Sequence, residues 1–105
     1  MQIQINTDNH IQGDEQLTSR VESSVRNTLQ RFSDQITRVE VHLRDENSAA
    51  KSGPADKRCQ LEVRLAGRQP TSVTEVAASI DQAVSGAAQK MVRSLETTLG
   101  KLGRS

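Results

Sequence analysis

Residues 36–44 read ITRVEVHLR, and from Arg38 onward polar and apolar side chains alternate strictly. This period of two is typical of a strand that buries one face, so Val39, Val41 and Leu43 should point toward a core. Residues 58–65 read RCQLEVRL and repeat the alternation after a loop of small and polar residues. The two segments predict two neighbouring strands, paired as an antiparallel hairpin.

Shorter periodic segments precede this hairpin. Residues 2–7 alternate around Ile3 and Ile5, which predicts a short first strand. A helix is then predicted to run as far as Ser33-Asp34, because apolar residues recur every three or four positions. These apolar residues are Leu17, Val21, Val25, Leu29 and Phe32.

Beyond the hairpin the period changes again. Pro70 precedes a short stretch, Thr71 to Val73, which fits an edge strand because proline lacks a backbone donor. Ser72 and Glu75 have the spacing of a helix capping box, so a long closing helix is predicted to follow. Its apolar face would comprise Ala77, Ile80, Val84, Ala87, Ala88, Met91, Leu95, Leu99 and Leu102.

Together these elements predict an α+β fold with the order β-α-β-β-β-α. All apolar faces are buried most simply if two helices pack on one face of a four-stranded sheet. A chain of 105 residues has the length of one ordinary domain, so residues 1–105 are expected to form a single unit. The opposite sheet face should stay hydrated and carry mixed charges: Arg38, Glu40, His42, Arg44, Arg58, Glu62 and Arg64.

The composition limits the possible functions. Fourteen Lys and Arg against thirteen Asp and Glu give a net charge of +1, so nucleic-acid binding would depend on how charge is distributed. With no Trp or Tyr and only Phe32, stacking of bases on aromatic rings is a poor candidate mechanism. No long apolar run or N-terminal signal is present, so a soluble protein without a membrane partner is expected.

No motif predicts catalysis. The sequence lacks a glycine-rich phosphate loop and a recognisable catalytic triad, so neither enzyme activity nor a small-molecule substrate is expected. His10, His42, Asp45 and Glu46 are potential metal ligands, but their spacing matches no metal motif, and no cofactor is expected. Cys59 alternates with apolar neighbours and is interpreted as a core thiol, with a redox sensor as the alternative.

Basic side chains suggest a binding surface on the helices. At about 100° per residue, Lys90, Arg93 and Lys101 share one flank of the closing helix, and Arg20 and Arg31 share a flank of the first. Two such flanks side by side would present cations along a phosphate backbone. The alternative is an ordinary hydrated helix face.

The residues also resemble a known family, the ribosome hibernation-promoting factor and ribosome-associated inhibitor A family. The resemblance spans nearly the whole chain and lies in the element order and in five strings: MQIQINTDNHI (1–11), RNTLQRF (26–32), ITRVEVHL (36–43), CQLEVRLAG (59–67) and ASIDQAVSGAAQKMVRSLETTL (78–99). The chain resembles the short form of the family and is therefore not expected to pair ribosomes through an additional C-terminal domain.

The resemblance implies a cytoplasmic protein, a monomer or weak dimer, that binds the small ribosomal subunit and its rRNA in the channel used by mRNA and tRNA. Such a protein would inhibit translation and stabilise idle ribosomes during stress by steric occupation. The rRNA-binding residues carried over by the resemblance are Arg20, Arg31, Arg38, Arg44, Lys90, Arg93 and Lys101.

Two further points stay open in the sequence. A protein-interaction module that uses the hydrated sheet face, or the edge strand at Thr71 to Val73, is the alternative to ribosome binding. The loop from Asp45 to Asp56 is long for a hairpin connection, so Lys51 within it could reach a partner, or the loop could be a tolerated insertion.

Overall fold

The computed structural model describes residues 1–8, 15–45 and 57–103, with side chains as far as residue 100. Its elements follow the predicted order. They are β1 (Gln2–Thr7), α1 (Glu15–Leu29), a one-turn 3-10 helix (Gln30–Phe32), β2 (Ile36–Asp45), β3 (Lys57–Leu65), β4 (Thr71–Ala77) and α2 (Ile80–Gly103). The loop after Asp45 lies outside the described residues, as do His10, Glu46 and Lys51.

The four strands form one sheet in the order β1-β2-β3-β4. β1 and β2 are parallel, with α1 as the crossover between them, whereas β2–β3 and β3–β4 are antiparallel. The predicted hairpin is confirmed, with Val41 opposite Leu61 and Val39 opposite Val63. The α+β fold predicted from the alternation is therefore confirmed as well.

One apolar core lies between the helices and the sheet. The residues of α1 predicted to face inward are buried, as are the odd-numbered residues of β2 and β3 from Val39 to Leu43 and from Cys59 to Leu65. In α2 the predicted residues from Val84 to Leu95 are buried, whereas Ile80 and Leu99 are partly buried. Ala77 belongs to β4, and the side chain of Leu102 lies outside the described residues. The intervening residues of β2 and β3 lie on the other side of the sheet, where Arg38 and Arg64 are exposed and several others are partly buried. Both helices thus cover one face of the sheet, as predicted. No helix in the described part of the chain is long and apolar enough to span a membrane.

The predicted start of the closing helix is wrong. Ser72 and Glu75 lie inside β4, which extends to Ala77, and α2 begins at Ile80. Ser79 is the residue that caps α2, because its Oγ accepts a hydrogen bond from the Gln82 N–H at 3.1 Å. Ser79 and Gln82 have the same capping-box spacing as Ser72 and Glu75. Four of the six residues from Thr71 to Val76 are β-branched, which favours a strand, and pairing with β3 keeps this segment out of the helix.

Cys59 occupies the centre of the core. Its side chain is fully buried, and this loss of solvation raises the pKa of the thiol to about 12. The thiolate, which is the reactive species, is therefore suppressed at neutral pH. The core interpretation is confirmed, and the redox-sensor alternative is contradicted by this environment.

We expect Cys59 in the native protein to react with iodoacetamide at least about a thousandfold more slowly than in the unfolded chain. The thiol becomes accessible only when β3 leaves the core, and unfolded fractions of folded domains lie at roughly one in a thousand or below. Mass spectrometry of quenched samples with and without urea measures both rates. Native labelling at the unfolded rate would contradict this description of the core.

Candidate nucleic-acid interface

Ion pairs join the two helices along their exposed sides. Arg20 near the start of α1 contacts Asp81 at the start of α2, with 3.2 Å between Nε and Oδ1. Arg31, in the 3-10 turn that follows α1, contacts Glu96 further along α2. Both helices therefore run in the same direction, as the predicted interface requires. Both arginines remain more than half exposed, but each has a carboxylate beside it.

Lys90 is held against the edge strand. Its Nζ lies 2.7 Å from Oε1 of Glu75 and donates a hydrogen bond to the Thr74 carbonyl oxygen at 2.8 Å. Glu75 fits there because Gly86, one turn before Lys90, has no side chain. A Cβ on Gly86 would lie 2.6 Å from Oε2 of Glu75 and 2.7 Å from its Cγ. Lys90 is exposed, yet its charge is already balanced by a carboxylate.

Gly86→Ala should lower the free energy of unfolding by about 1 kcal/mol, although alanine is intrinsically the better helix former by a similar amount. The new methyl group would displace Glu75 and separate it from Lys90. In a Glu75→Ala background, the same substitution should instead raise stability by about 1 kcal/mol. Urea denaturation of the four proteins measures this sign change.

The matched control is Gly100→Ala, because a Cβ on Gly100 in the same helix would meet nothing within 4 Å. That variant should leave stability unchanged or raise it by up to about 1 kcal/mol in either background. An equal effect of Gly86→Ala with and without Glu75 would contradict the proposed clash.

Arg93 differs from the other predicted helix cations. It is exposed and forms no ion pair with any side chain that the structure describes. Lys101 lies on the last turns of α2, but its side chain falls outside the described part. Thus Arg20, Arg31, Lys90 and Arg93 are brought to the exposed side of one helix layer, and only Arg93 among these four has no described carboxylate beside it.

The outer face of the sheet carries the remaining predicted site residues, Arg38 and Arg44. The hairpin register places Arg38 opposite Arg64 and Arg44 opposite Arg58. Between these rows lie an acidic row, Glu40 opposite Glu62, and a neutral row, His42 opposite Gln60. The β1 and β4 residues on this face are uncharged, so four arginines against two glutamates give the face a net charge of +2.

Like charges directly across a strand pair disfavour the folded state, so this register costs some stability. Part of the cost is offset at one end, where Arg38 donates to the Gln4 side-chain oxygen at 2.6 Å and lies 3.6 Å from Glu40. Arg58 and Arg64 were not among the predicted site residues. The alternation already placed both on this face, and the hairpin register supplies the missing information that they adjoin Arg44 and Arg38.

In the described residues no group of three or more His, Cys, Asp and Glu side chains is placed to hold a metal ion. His42 lies on the polar sheet face between Asn6 and Gln60. Of the surfaces described above, the outer sheet face carries the larger uncompensated charge, a net +2.

Several solved structures share this fold, among them the following two. The Thermus thermophilus Protein Y N-terminal domain superimposes with a TM-score of 0.73 at 20% identity, covering 93% of this chain and 99% of that one. A ribosomal subunit interface protein from Coxiella burnetii superimposes with a TM-score of 0.70 at 18% identity, covering 100% of both chains. A comparison with curated protein sequences gave no significant match.

A family sequence profile is more specific than these fold matches. The profile described as sigma 54 modulation protein / S30EA ribosomal protein matches residues 3–103, which includes nearly all of the first strand, the other three strands and both helices. The resemblance noted in the sequence is thereby confirmed, and the chain belongs to the sigma 54 modulation protein / S30EA ribosomal protein family.

Proposed function

We propose that this protein binds the small ribosomal subunit through its rRNA and, by occupying the channel used by mRNA and tRNA, inhibits translation and stabilises idle ribosomes. Membership of the S30EA ribosomal protein family supports this function, and the solved relatives with the same fold include a ribosomal subunit interface protein. The proposal places the protein in the cytoplasm, where ribosomes work.

The observation that carries the proposal is the presence of exposed arginines on both opposite surfaces of a two-layer molecule. Arg93 and Arg31 lie on the helix layer, and Arg44 and Arg38 lie on the outer sheet face. A protein inserted into an RNA-lined channel meets phosphates on more than one side. Cations on both surfaces suit such a position better than a single basic patch does.

Binding by this mechanism requires no chemical step. Arginines contact phosphate oxygens, often through two parallel hydrogen bonds, and fix the orientation of the bound protein. Arg20, Lys90 and Lys101 would add to this contact, with Arg20 and Lys90 exchanging part of their present carboxylate contacts for phosphate. The bound domain then excludes other ligands from the channel by its volume.

Co-sedimentation of the purified protein with small ribosomal subunits across a salt series tests the proposal. We expect saturable pelleting near one protein per subunit, with a logarithmic salt slope of roughly 0.7 to 0.9 for each phosphate contacted. Addition to a cell-free translation reaction should then reduce protein synthesis at the concentrations that saturate binding. Failure to pellet at low salt would overturn the assignment.

A second candidate function is favoured by one side chain. Val76 is 49% exposed on the outer sheet face and is the large hydrophobic residue that the described structure leaves open to solvent. A protein partner could cover it, which keeps the protein-interaction alternative for the sheet face. A complex that forms equally well at low and high salt, and that Val76→Asp abolishes, would favour this candidate over ribosome binding.

A further inference from the structure

The two helices enclose a shallow groove on their exposed side. Thr28 and Arg31 line one wall, and Gln89, Val92 and Arg93 line the other. On α2 these positions are spaced by three and four residues, so their side chains lie on one face of the helix. The groove therefore results directly from the parallel packing of α1 and α2.

The chemistry of the lining is mixed in a specific way. Val92 is half-buried and packs against the hydrophobic core, which gives the groove an apolar floor. Thr28 and Gln89 bring a hydroxyl and an amide, both able to donate and to accept hydrogen bonds. Arg93 adds a cation without a carboxylate partner among the described side chains.

Arg31 completes the groove, and two contacts restrain its side chain. Its guanidinium carbon lies 4.6 Å from the centre of the Phe32 ring, and the same group is paired with Glu96. These two contacts restrain a long side chain that would otherwise sample many rotamers. A planar guanidinium held in place is a stacking surface for a nucleobase, even in a chain without Trp or Tyr.

We propose that this interhelical groove receives one unstacked nucleotide of the RNA partner. The base lies against Val92 and the guanidinium plane of Arg31, Gln89 and Thr28 bond its edge, and Arg93 contacts its phosphate. A phosphate alone would make no use of the apolar floor. An apolar peptide side chain in the groove would be buried next to the charged guanidinium of Arg93, which is unfavourable. The inference rests on the proposed function and adds recognition of a base to recognition of the backbone.

Two titrations of the isotopically labelled protein test the inference. One uses a single-stranded RNA hexamer of mixed sequence, and the other uses pyrophosphate, which has charge but no base. RNA should shift the methyl signals of Val92 and the side-chain amide of Gln89, whereas pyrophosphate should shift neither. Equal shifts of these signals by both probes, or no shift by RNA, would overturn the proposal that the groove binds a nucleotide.

The double variant Thr28→Val/Gln89→Leu provides the second measurement, because it removes both polar groups and keeps every charge. It should bind small ribosomal subunits about tenfold more weakly than the parent protein, with an unchanged salt slope. The matched control is Gln82→Leu, an exposed glutamine on the first turn of α2 and outside the groove. It should bind like the parent.

The outcomes separate the two proposals. If the parent protein binds subunits and the double variant binds equally well, the groove assignment is wrong and the ribosome assignment stands. If the parent does not bind subunits while RNA still shifts Val92, the groove binds RNA and the ribosome is the wrong partner. Circular dichroism melting of the variant establishes that any loss of binding occurs in a folded protein.

Discussion

Replacing Leu61 with alanine should lower the free energy of unfolding by about 2 to 5 kcal/mol, a large share of the roughly 5 to 15 kcal/mol typical of a domain. Leu61 is fully buried in the central strand β3, opposite Val41 on one side and Val73 on the other. The truncation removes apolar contacts and leaves a cavity that two strands and two helices cannot close without shifting.

Urea denaturation followed by circular dichroism measures the loss as a lower midpoint at unchanged slope. The matched control is Val76→Ala, which truncates an aliphatic residue on the outer face of the neighbouring strand, where it is 49% exposed. That variant should lose at most about 0.5 kcal/mol. Equal losses for the two variants would show that the core lies elsewhere.

The second large effect concerns binding. Replacing Arg31 and Arg93 together with glutamine should weaken the association with small ribosomal subunits by about a hundredfold, since a charge-assisted hydrogen bond contributes roughly 1.5 kcal/mol or more. The salt slope should also fall, by roughly 0.7 to 0.9 for each phosphate that the variant no longer neutralises. Both side chains are exposed, so the fold should persist.

The two arginines should differ when they are replaced singly. Arg31→Gln leaves the carboxylate of Glu96 without its partner at the proposed RNA-binding surface, whereas Arg93 has no such neighbour in the described structure. Arg31→Gln should therefore cost more affinity, and the additional Glu96→Gln change should recover part of the loss. Absence of any recovery would show that Glu96 lies away from the bound RNA.

Arg26→Gln is the matched control for this series. Arg26 is an exposed arginine on α1 that pairs with Glu22 at 3.0 Å and lies outside the predicted basic flank. Its replacement should change binding to subunits by less than about twofold. A loss as large as that of Arg93→Gln would mean that total charge, and not its position, determines binding.

The sequence predicted the fold wherever local pattern and long-range packing agree. The alternation of β2 and β3 and the helical period of α1 each identify an element and its buried face at once. The boundary between β4 and α2 could not be read in this way, because Ser72 and Ser79 each begin a capping-box spacing. Pairing with β3, a tertiary interaction, selects Ser79.

The exposure of the helix cations could be predicted from the sequence, whereas their charge balance could not. The helical period predicts that Arg20, Arg31, Lys90 and Arg93 are exposed on the helix layer, and the structure shows them exposed there. The carboxylates that balance three of them belong to other elements, and Arg20 reaches Asp81 across 61 positions of sequence. No local pattern predicts such a partner, so a stripe that looks basic in sequence becomes nearly neutral once the helices pack.

The contact of Lys90 with β4 also bears on how the protein behaves at high concentration. β4 is the last strand of its sheet, and an open strand edge offers backbone groups to which a strand of another molecule can add. Lys90 places an ammonium group on the Thr74 carbonyl and anchors it through Glu75. An incoming strand would have to displace this cation first, so Lys90 should protect the protein against edge-to-edge aggregation whether or not it also binds phosphate.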